Sequence, residues 1–115
     1  MARTFYVGVL GMHEVPKPPL LARRGGAWFE AGAVRLHVGV ESEFVPARKA
    51  HPALLIAGLA EFVDRAGLDA TWSDEIEGVT RCHVDDPFGN RIELIEALHP
   101  ESDSRCNAGC DGGDA

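Results

Sequence analysis

An internal repeat constrains the fold of this chain more than any other feature of its sequence. Two pairs of segments match at one offset of 56 residues: residues 5–12 with residues 61–68, and residues 35–38 with residues 91–94. A repeat of this length is one supersecondary unit used twice, and neither copy can close a hydrophobic core alone. The repeat also places His37 and Glu93, two side chains that can bind a metal ion, at equivalent positions.

Length and composition limit the architecture and the partners. At 115 residues, with 45% hydrophobic residues, the chain is suited to one domain with a real core. Its longest apolar run, residues 52–60, is far too short to span a bilayer. The N-terminus lacks the basic and apolar segments of a secretory signal. We therefore expect a cytoplasmic protein with no membrane partner.

The charge distribution argues against nucleic acid as a partner. The net charge is −7, of which residues 99–115 carry −3, so the body of the chain carries −4. Binding to nucleic acid needs several lysines and arginines that neutralise phosphates, and no basic stripe is present in the sequence.

The three cysteines predict no disulfide framework. Cys82 lies in a predicted strand, whereas Cys106 and Cys110 lie in the C-terminal segment rich in glycine and aspartate. The Cys106–Cys110 pair could bind a soft metal, but no second pair completes a tetrahedral site. We expect residues 99–115 to be a disordered acidic tail without a function of its own.

The second copy of the repeat shows the fuller pattern of elements. Apolar residues 51–56 predict a buried strand, and residues 58–66 predict a helix that ends at Gly67. Three strand candidates follow, at residues 70–73, 79–84 and 90–97. The order is therefore strand, helix and three strands.

The first copy lacks the opening strand. A helix is predicted for residues 3–10, a short strand for residues 12–15, and a hairpin for residues 25–30 with 34–40. The counterpart of residues 51–56 would precede Met1, so we expect a shortened two-copy fold whose translation starts late or whose start was misassigned. The loss exposes the edge of the His37 strand, which predicts a homodimer.

Residues 86–94, with the sequence DPFGNRIEL, resemble a motif of the vicinal oxygen chelate superfamily, the group of glyoxalases, bleomycin resistance proteins and extradiol dioxygenases. Further similarity lies in residues 5–12, 28–30, 36–38 and 50–55. The resemblance covers residues 3–97. It implies an α+β fold in which paired βαβββ modules form an open mixed-sheet barrel. The single domain would span residues 1–98, with an incomplete first module at residues 1–40 and a second module at residues 51–97.

The resemblance also implies a metal site. Its ligands come from the first and last strands of each module, which correspond here to His37, His51 and Glu93, and the fourth would lie on the missing strand. Related glyoxalases commonly have glutamate in place of His37, and this difference weakens any assignment of their particular reaction. Taken alone, Glu93 between Ile92 and Leu94 predicts a solvated carboxylate, whereas the repeat favours a ligand.

Two imidazoles and one carboxylate suit zinc, nickel, manganese or ferrous iron. Three protein ligands leave positions for a substrate, which a catalytic site requires. The expected function is a metal-dependent glyoxalase- or dioxygenase-like enzyme. Its small-molecule substrate would chelate the metal through adjacent oxygens, and lyase or isomerase chemistry is favoured over oxygen insertion. No general base is assigned. The alternative is a metal-free protein of the bleomycin-resistance type that sequesters a ligand.

Overall fold

The computed structural model describes residues 1–97. In chain order the elements are a π-helix (Thr4–Val9), β1 (His13–Val15), α1 (Pro19–Ala22), β2 (Ala27–Ala31), β3 (Val34–Val38), β4 (Ala53–Ile56), α2 (Leu59–Ala66), β5 (Thr71–Ser73), β6 (Arg81–Asp85) and β7 (Arg91–Glu96). They form two compact units. The first comprises Met1–Arg48 with Asp86–Asn90, and among the described residues the second comprises Lys49–Asp85 with residues 91–97.

The first unit contains a three-stranded antiparallel sheet in the order β1-β2-β3. The predicted hairpin is confirmed as β2 and β3, with Trp28 opposite His37. Before β2 the chain requires a glycine at Gly26, because its φ is +82° and a Cβ atom there would collide with the carbonyl oxygen of Val38. Within the described residues no strand pairs with the outer edge of β3.

Aromatic side chains form the core of the first unit. The π-helix buries Phe5 and Tyr6, and the ring of Tyr6 stacks on Phe29 of β2 with 5.3 Å between centroids. The hydroxyl of Tyr6 donates to Oδ2 of Asp86 at 2.6 Å. Asp86 is 5% exposed and also accepts from the backbone N–H groups of Phe88 and Asn90. The DPFGN turn is therefore anchored by a buried carboxylate.

The second unit contains a four-stranded mixed sheet in the order β4-β7-β6-β5, in which β4 runs parallel to β7 and the other pairs are antiparallel. One face of the sheet is apolar and buries Cys82, Val84, Ile92 and Leu94, while α2 buries Leu59 and Val63. Alternate residues of the strands face the opposite side. That side carries the polar residues Ser73, Arg81, His83 and Glu93.

The two ends of α2 are capped in different ways. Glu96 of β7 accepts hydrogen bonds from the N–H groups of Gly58 and Leu59 through its two carboxylate oxygens, at 3.0 and 2.8 Å. Gly67 ends the helix with φ +66°, as predicted, because the left-handed conformation costs glycine little.

The predicted helices and strands are present in the structure, with ends that coincide or differ by one or two residues. The short helix α1 was not predicted. Residues 16–19 were expected to be extended or to form a turn, and the helix instead begins at Pro19, since proline is well tolerated in the first turn. The expected disordered tail at residues 99–115, including Cys106 and Cys110, lies outside the described residues.

Both sheets are open, and the predicted α+β class is confirmed. The assignment of a single domain stays a prediction. None of the helices in residues 1–97 has the length and apolar character needed to cross a membrane.

Candidate metal centre

Three side chains that can bind a metal ion converge in the second unit. They are His51, just before β4, His83 in β6 and Glu93 in β7. The Nε2 atom of His51 lies 3.0 Å from Oε1 of Glu93, and Nε2 of His83 lies 3.8 Å from the same oxygen. One ligand atom from each residue lies within 4.8 Å of the other two.

Strand pairing brings these residues together. The parallel pairing of β4 and β7 places Ala53 opposite Glu93, and the N–H of Glu93 donates to the carbonyl oxygen of Pro52 at 2.9 Å. His51 therefore precedes β4 right beside Glu93. The antiparallel pairing of β6 and β7 places His83 directly opposite Glu93. Residues opposite each other on paired strands share a face, so the two side chains meet.

The orientation of His51 is set by the main chain. Its Nδ1 atom lies 2.6 Å from the carbonyl oxygen of Lys49. A carbonyl oxygen only accepts, so Nδ1 carries a proton and the neutral ring presents the Nε2 lone pair to Glu93. The contact between this lone pair and the carboxylate of Glu93 is favourable only when a proton or a metal cation lies between Nε2 and Oε1. Accordingly, the Lys49 carbonyl and then the Glu93 carboxylate raise the pKa of His51.

Glu93 is a buried carboxylate with different partners on its two oxygens. It is 9% exposed, and Oε2 accepts a hydrogen bond from Nη1 of Arg81 at 3.0 Å. Hydrogen bonds from His51 and from Arg81 lower the pKa of Glu93, so the group is ionised at neutral pH. Taken alone, the position of Glu93 in the sequence predicted a solvated carboxylate, whereas in the structure the neighbouring strands cover the side chain and supply its partners.

The donor set and its spacing fit a divalent metal ion. Nitrogen and oxygen ligands with bonds of about 2.0–2.2 Å are separated by about 3.3 Å in a tetrahedral site. The separations of 3.0 and 3.8 Å from Glu93 Oε1 to the two histidine Nε2 atoms bracket this value. In addition, a backbone acceptor on Nδ1 is the usual support of a histidine that binds metal through Nε2. Small side-chain movements would complete such a site.

Of the residues predicted as ligands, the structure brings His51 and Glu93 together. His37 lies in the first unit, where its exposed ring stacks on Trp28 with 3.9 Å between centroids and 2° between planes. Its assignment as a ligand stays a prediction.

Sequence reasoning left His83 without a role. The signal that would have identified it is the turn at residues 86–90. Because this turn pairs Asp85 with Arg91, counting outward along both strands places His83 opposite Glu93.

A separate cavity of about 440 Å³ lies in the first unit. Its lining includes Val38, Val40, Phe44 and Phe88. The charged side chains of Arg3 and Glu41 also line this cavity.

Solved structures of one superfamily are similar to this chain. A glyoxalase family protein from Bacillus anthracis is 43% identical, with a TM-score of 0.78 over 84% of this chain and 82% of that chain. The lactoylglutathione lyase from Agrobacterium tumefaciens is 20% identical, with a TM-score of 0.61 over 84% and 83% of the two chains. The fosfomycin resistance protein FosX from Listeria monocytogenes is 12% identical, with a TM-score of 0.62 over 84% and 82%.

No protein-family profile matches the chain, and no curated protein sequence matches it. The lyase and FosX share the fold with this chain, whereas the Bacillus anthracis protein shares both the fold and much of the sequence. We conclude that the chain belongs to the vicinal oxygen chelate superfamily, the group of glyoxalases, bleomycin resistance proteins and dioxygenases.

Proposed function

We propose that this protein is a metal-dependent enzyme of the glyoxalase or dioxygenase type, acting on a small substrate that chelates the metal through adjacent oxygens. Lyase or isomerase chemistry is favoured over oxygen insertion. The observation that carries the proposal is the convergence of two imidazole Nε2 atoms on one oxygen of a buried carboxylate. A cation between them would satisfy all three groups at once.

In this proposal His51, His83 and Glu93 hold a zinc, nickel, manganese or ferrous ion. When bound, the metal supplies Lewis-acid stabilisation of negative charge on the oxygens of the substrate. The Lys49 carbonyl fixes the tautomer of His51, so that its Nε2 lone pair is available for binding. Three protein ligands leave room for a bidentate substrate. His37 is retained as a further proposed ligand on the strength of the resemblance.

A second candidate function is metal-free ligand binding, and two observations favour it. If His51 is protonated, it donates both ring protons, one to Lys49 and one to Glu93, while Arg81 occupies the other oxygen of Glu93. The cluster is then a network of ion pairs in which His51 has no free lone pair for a metal ion. The cavity of the first unit, with its mixed apolar and charged lining, would accommodate the ligand.

Metal content separates the two functions. The protein is purified without chelators and analysed for metals, and is then titrated with Ni²⁺, Zn²⁺, Mn²⁺ and Fe²⁺ by calorimetry. We expect about one ion per chain, lost in both His51→Ala and Glu93→Gln. His13→Ala removes an exposed histidine from β1 and serves as the matched control, which should bind as the wild type does. A wild-type protein that binds none of these ions would exclude the enzyme proposal and leave the binding function.

The reaction class is tested on the metal-loaded protein. Methylglyoxal–thiol adducts probe glyoxalase chemistry, and catechols probe ring-opening dioxygenase chemistry. Turnover of the thiol adduct that is absent in Glu93→Gln supports the lyase or isomerase proposal. Turnover of catechol alone would replace it with oxygen insertion.

A further inference from the structure

The two oxygens of Glu93 have partners of different kinds. Oε1 faces the Nε2 atoms of His51 and His83, whereas Oε2 accepts from Nη1 of Arg81. Arg81 precedes His83 by two residues in β6, so both side chains lie on the same face of the sheet. A guanidinium ion is therefore hydrogen-bonded directly to a carboxylate of the candidate metal site.

The surrounding residues hold Arg81 in this place. Its Nη2 atom donates to Oγ of Ser73 at 3.3 Å and to Oε1 of Glu75 at 3.2 Å. The side chain of Arg81 is 13% exposed, and its buried Nε atom has no hydrogen-bond partner among the described residues. A buried N–H without a hydrogen-bond partner is costly. Its position beside Glu93 points to a role beyond packing.

We propose that Arg81 is a positioning residue that reserves Oε1 of Glu93 for the metal and sets the charge of the metal site. This inference rests on the proposed function. When both histidines are neutral, the negative charge of Glu93 and the positive charge of Arg81 cancel. A bound divalent ion then presents its full charge of +2 to the substrate. Glu75 offsets little of this, since it is 82% exposed and screened by solvent. The loaded site is therefore matched to a chelating substrate that carries negative charge.

Removing the positive charge reverses this balance. Without Arg81, both oxygens of Glu93 are free for the metal and the site carries one net negative charge. The metal is then attracted more strongly, while an anionic chelator on that metal is attracted less strongly. A merely structural ion pair predicts a different result, because its loss would disorder Glu93 and weaken metal binding.

The test compares three variants with the wild type. Arg81→Met removes the charge, Arg81→Lys keeps it, and Arg65→Met, the control, removes an exposed charge from the last turn of α2. Calorimetry measures Ni²⁺ affinity, then oxalate affinity of the nickel-loaded protein. Visible absorption of the Co²⁺ form reports the coordination number.

We expect Arg81→Met to bind Ni²⁺ about tenfold more tightly and oxalate about tenfold more weakly, as Coulomb energies at a partly screened site imply. The Co²⁺ bands should weaken as Glu93 becomes bidentate. Arg81→Lys and Arg65→Met should stay within about threefold of the wild type in both affinities.

Unchanged or weaker Ni²⁺ binding by a folded Arg81→Met protein overturns the inference while leaving the metal site intact. Arg81→Gln provides a second neutral variant. If neither neutral variant folds, the role of Arg81 is structural and the inference fails. If the wild type binds no Ni²⁺, the proposed function fails first, and the inference fails with it.

Discussion

His83 lies directly opposite Glu93 across β6 and β7, with its Nε2 atom 3.8 Å from the carboxylate oxygen that also faces His51. In the first unit, Trp28 occupies the corresponding place opposite His37, and the two rings stack. The two copies of the repeat thus share a hairpin but differ in its chemistry. One hairpin pairs an aromatic ring with a histidine, and the other assembles a set of possible metal ligands.

The placement of His83 predicts that it binds the metal. His83→Ala should weaken Ni²⁺ binding by at least about tenfold, since one of three donors is lost. Calorimetric titration measures the effect, with His13→Ala as the matched removal of an exposed histidine. Equal affinities of His83→Ala and the wild type would restrict the donor set in this unit to His51 and Glu93.

The His51–Glu93 pair predicts a pH dependence of the metal-free protein. Because the pKa of His51 is raised above the ordinary value of 6.5, its stabilising contribution is complete below pH 6.5 and is lost as the pH rises through the folded-state pKa. Because the pKa of Glu93 is lowered from 4.5, its contribution is complete above pH 4.5 and is lost as the pH falls through the folded-state pKa.

In the chelator-treated protein, the His51–Glu93 pair should therefore contribute most to the free energy of unfolding between about pH 4.5 and 6.5. Urea denaturation at a series of pH values measures this, and Glu93→Gln should flatten the decline above pH 6.5. NMR titration of His51 should show a midpoint that falls in Glu93→Gln. An identical midpoint in both proteins would contradict the pairing.

The hydrogen bond between Tyr6 and Asp86 predicts a loss of stability in Tyr6→Phe. Burial, followed by the bond to Asp86, raises the pKa of Tyr6, so its hydroxyl stays a donor. Its removal should lower the free energy of unfolding by about 1–2 kcal/mol, since Asp86 keeps its other donors. A urea-denaturation cycle with Asp86→Asn isolates the pairwise energy. A coupling energy near zero would show that the contact stabilises nothing.

The interaction of Glu96 with the start of α2 predicts a second effect on stability. Glu96→Ala leaves the N–H groups of Gly58 and Leu59 without their acceptors and removes a negative charge from the positive end of the helix dipole. The expected loss is about 1 kcal/mol by urea denaturation. Glu61→Ala, in the first turn of the same helix, should cost less, since it acts through the dipole alone. Equal losses would rule out a specific role for Glu96.

The open edge of β3 predicts self-association. A strand edge with unpaired backbone groups tends to pair with another chain, and a two-fold dimer satisfies both edges at once. Sedimentation velocity over a range of concentrations should show a homodimer. Across the two-residue turn Ala31 and Val34 form a hydrogen-bonded pair, so the N–H of the next residue, Arg35, faces the open edge of β3. Arg35→Pro removes this backbone donor and should shift the protein toward the monomer. A wild-type protein that stays monomeric at high concentration would contradict the prediction.

Most of the fold could be predicted because its signals are local. Alternating apolar residues marked β6 and β7, helical spacing marked α2, and Gly67 marked the end of that helix. The short helix α1 was missed because a four-residue helix that begins at a proline has no periodicity to detect. His51 and Glu93 were identified through the repeat and the resemblance, which together compensate for the weak signal of a single histidine in a strand.

The sequence by itself determined which segments become strands and helices and which two residues of the second module are candidate ligands. The elements follow from side-chain periodicity and turn chemistry over a few residues, and the two ligands follow from the repeat and the resemblance. Only the tertiary structure decided that His83 joins them, that Glu93 is buried, and that Arg81 occupies the second carboxylate oxygen. Those outcomes depend on strand register and on side-chain contacts between residues distant in the chain, and a local sequence pattern encodes neither.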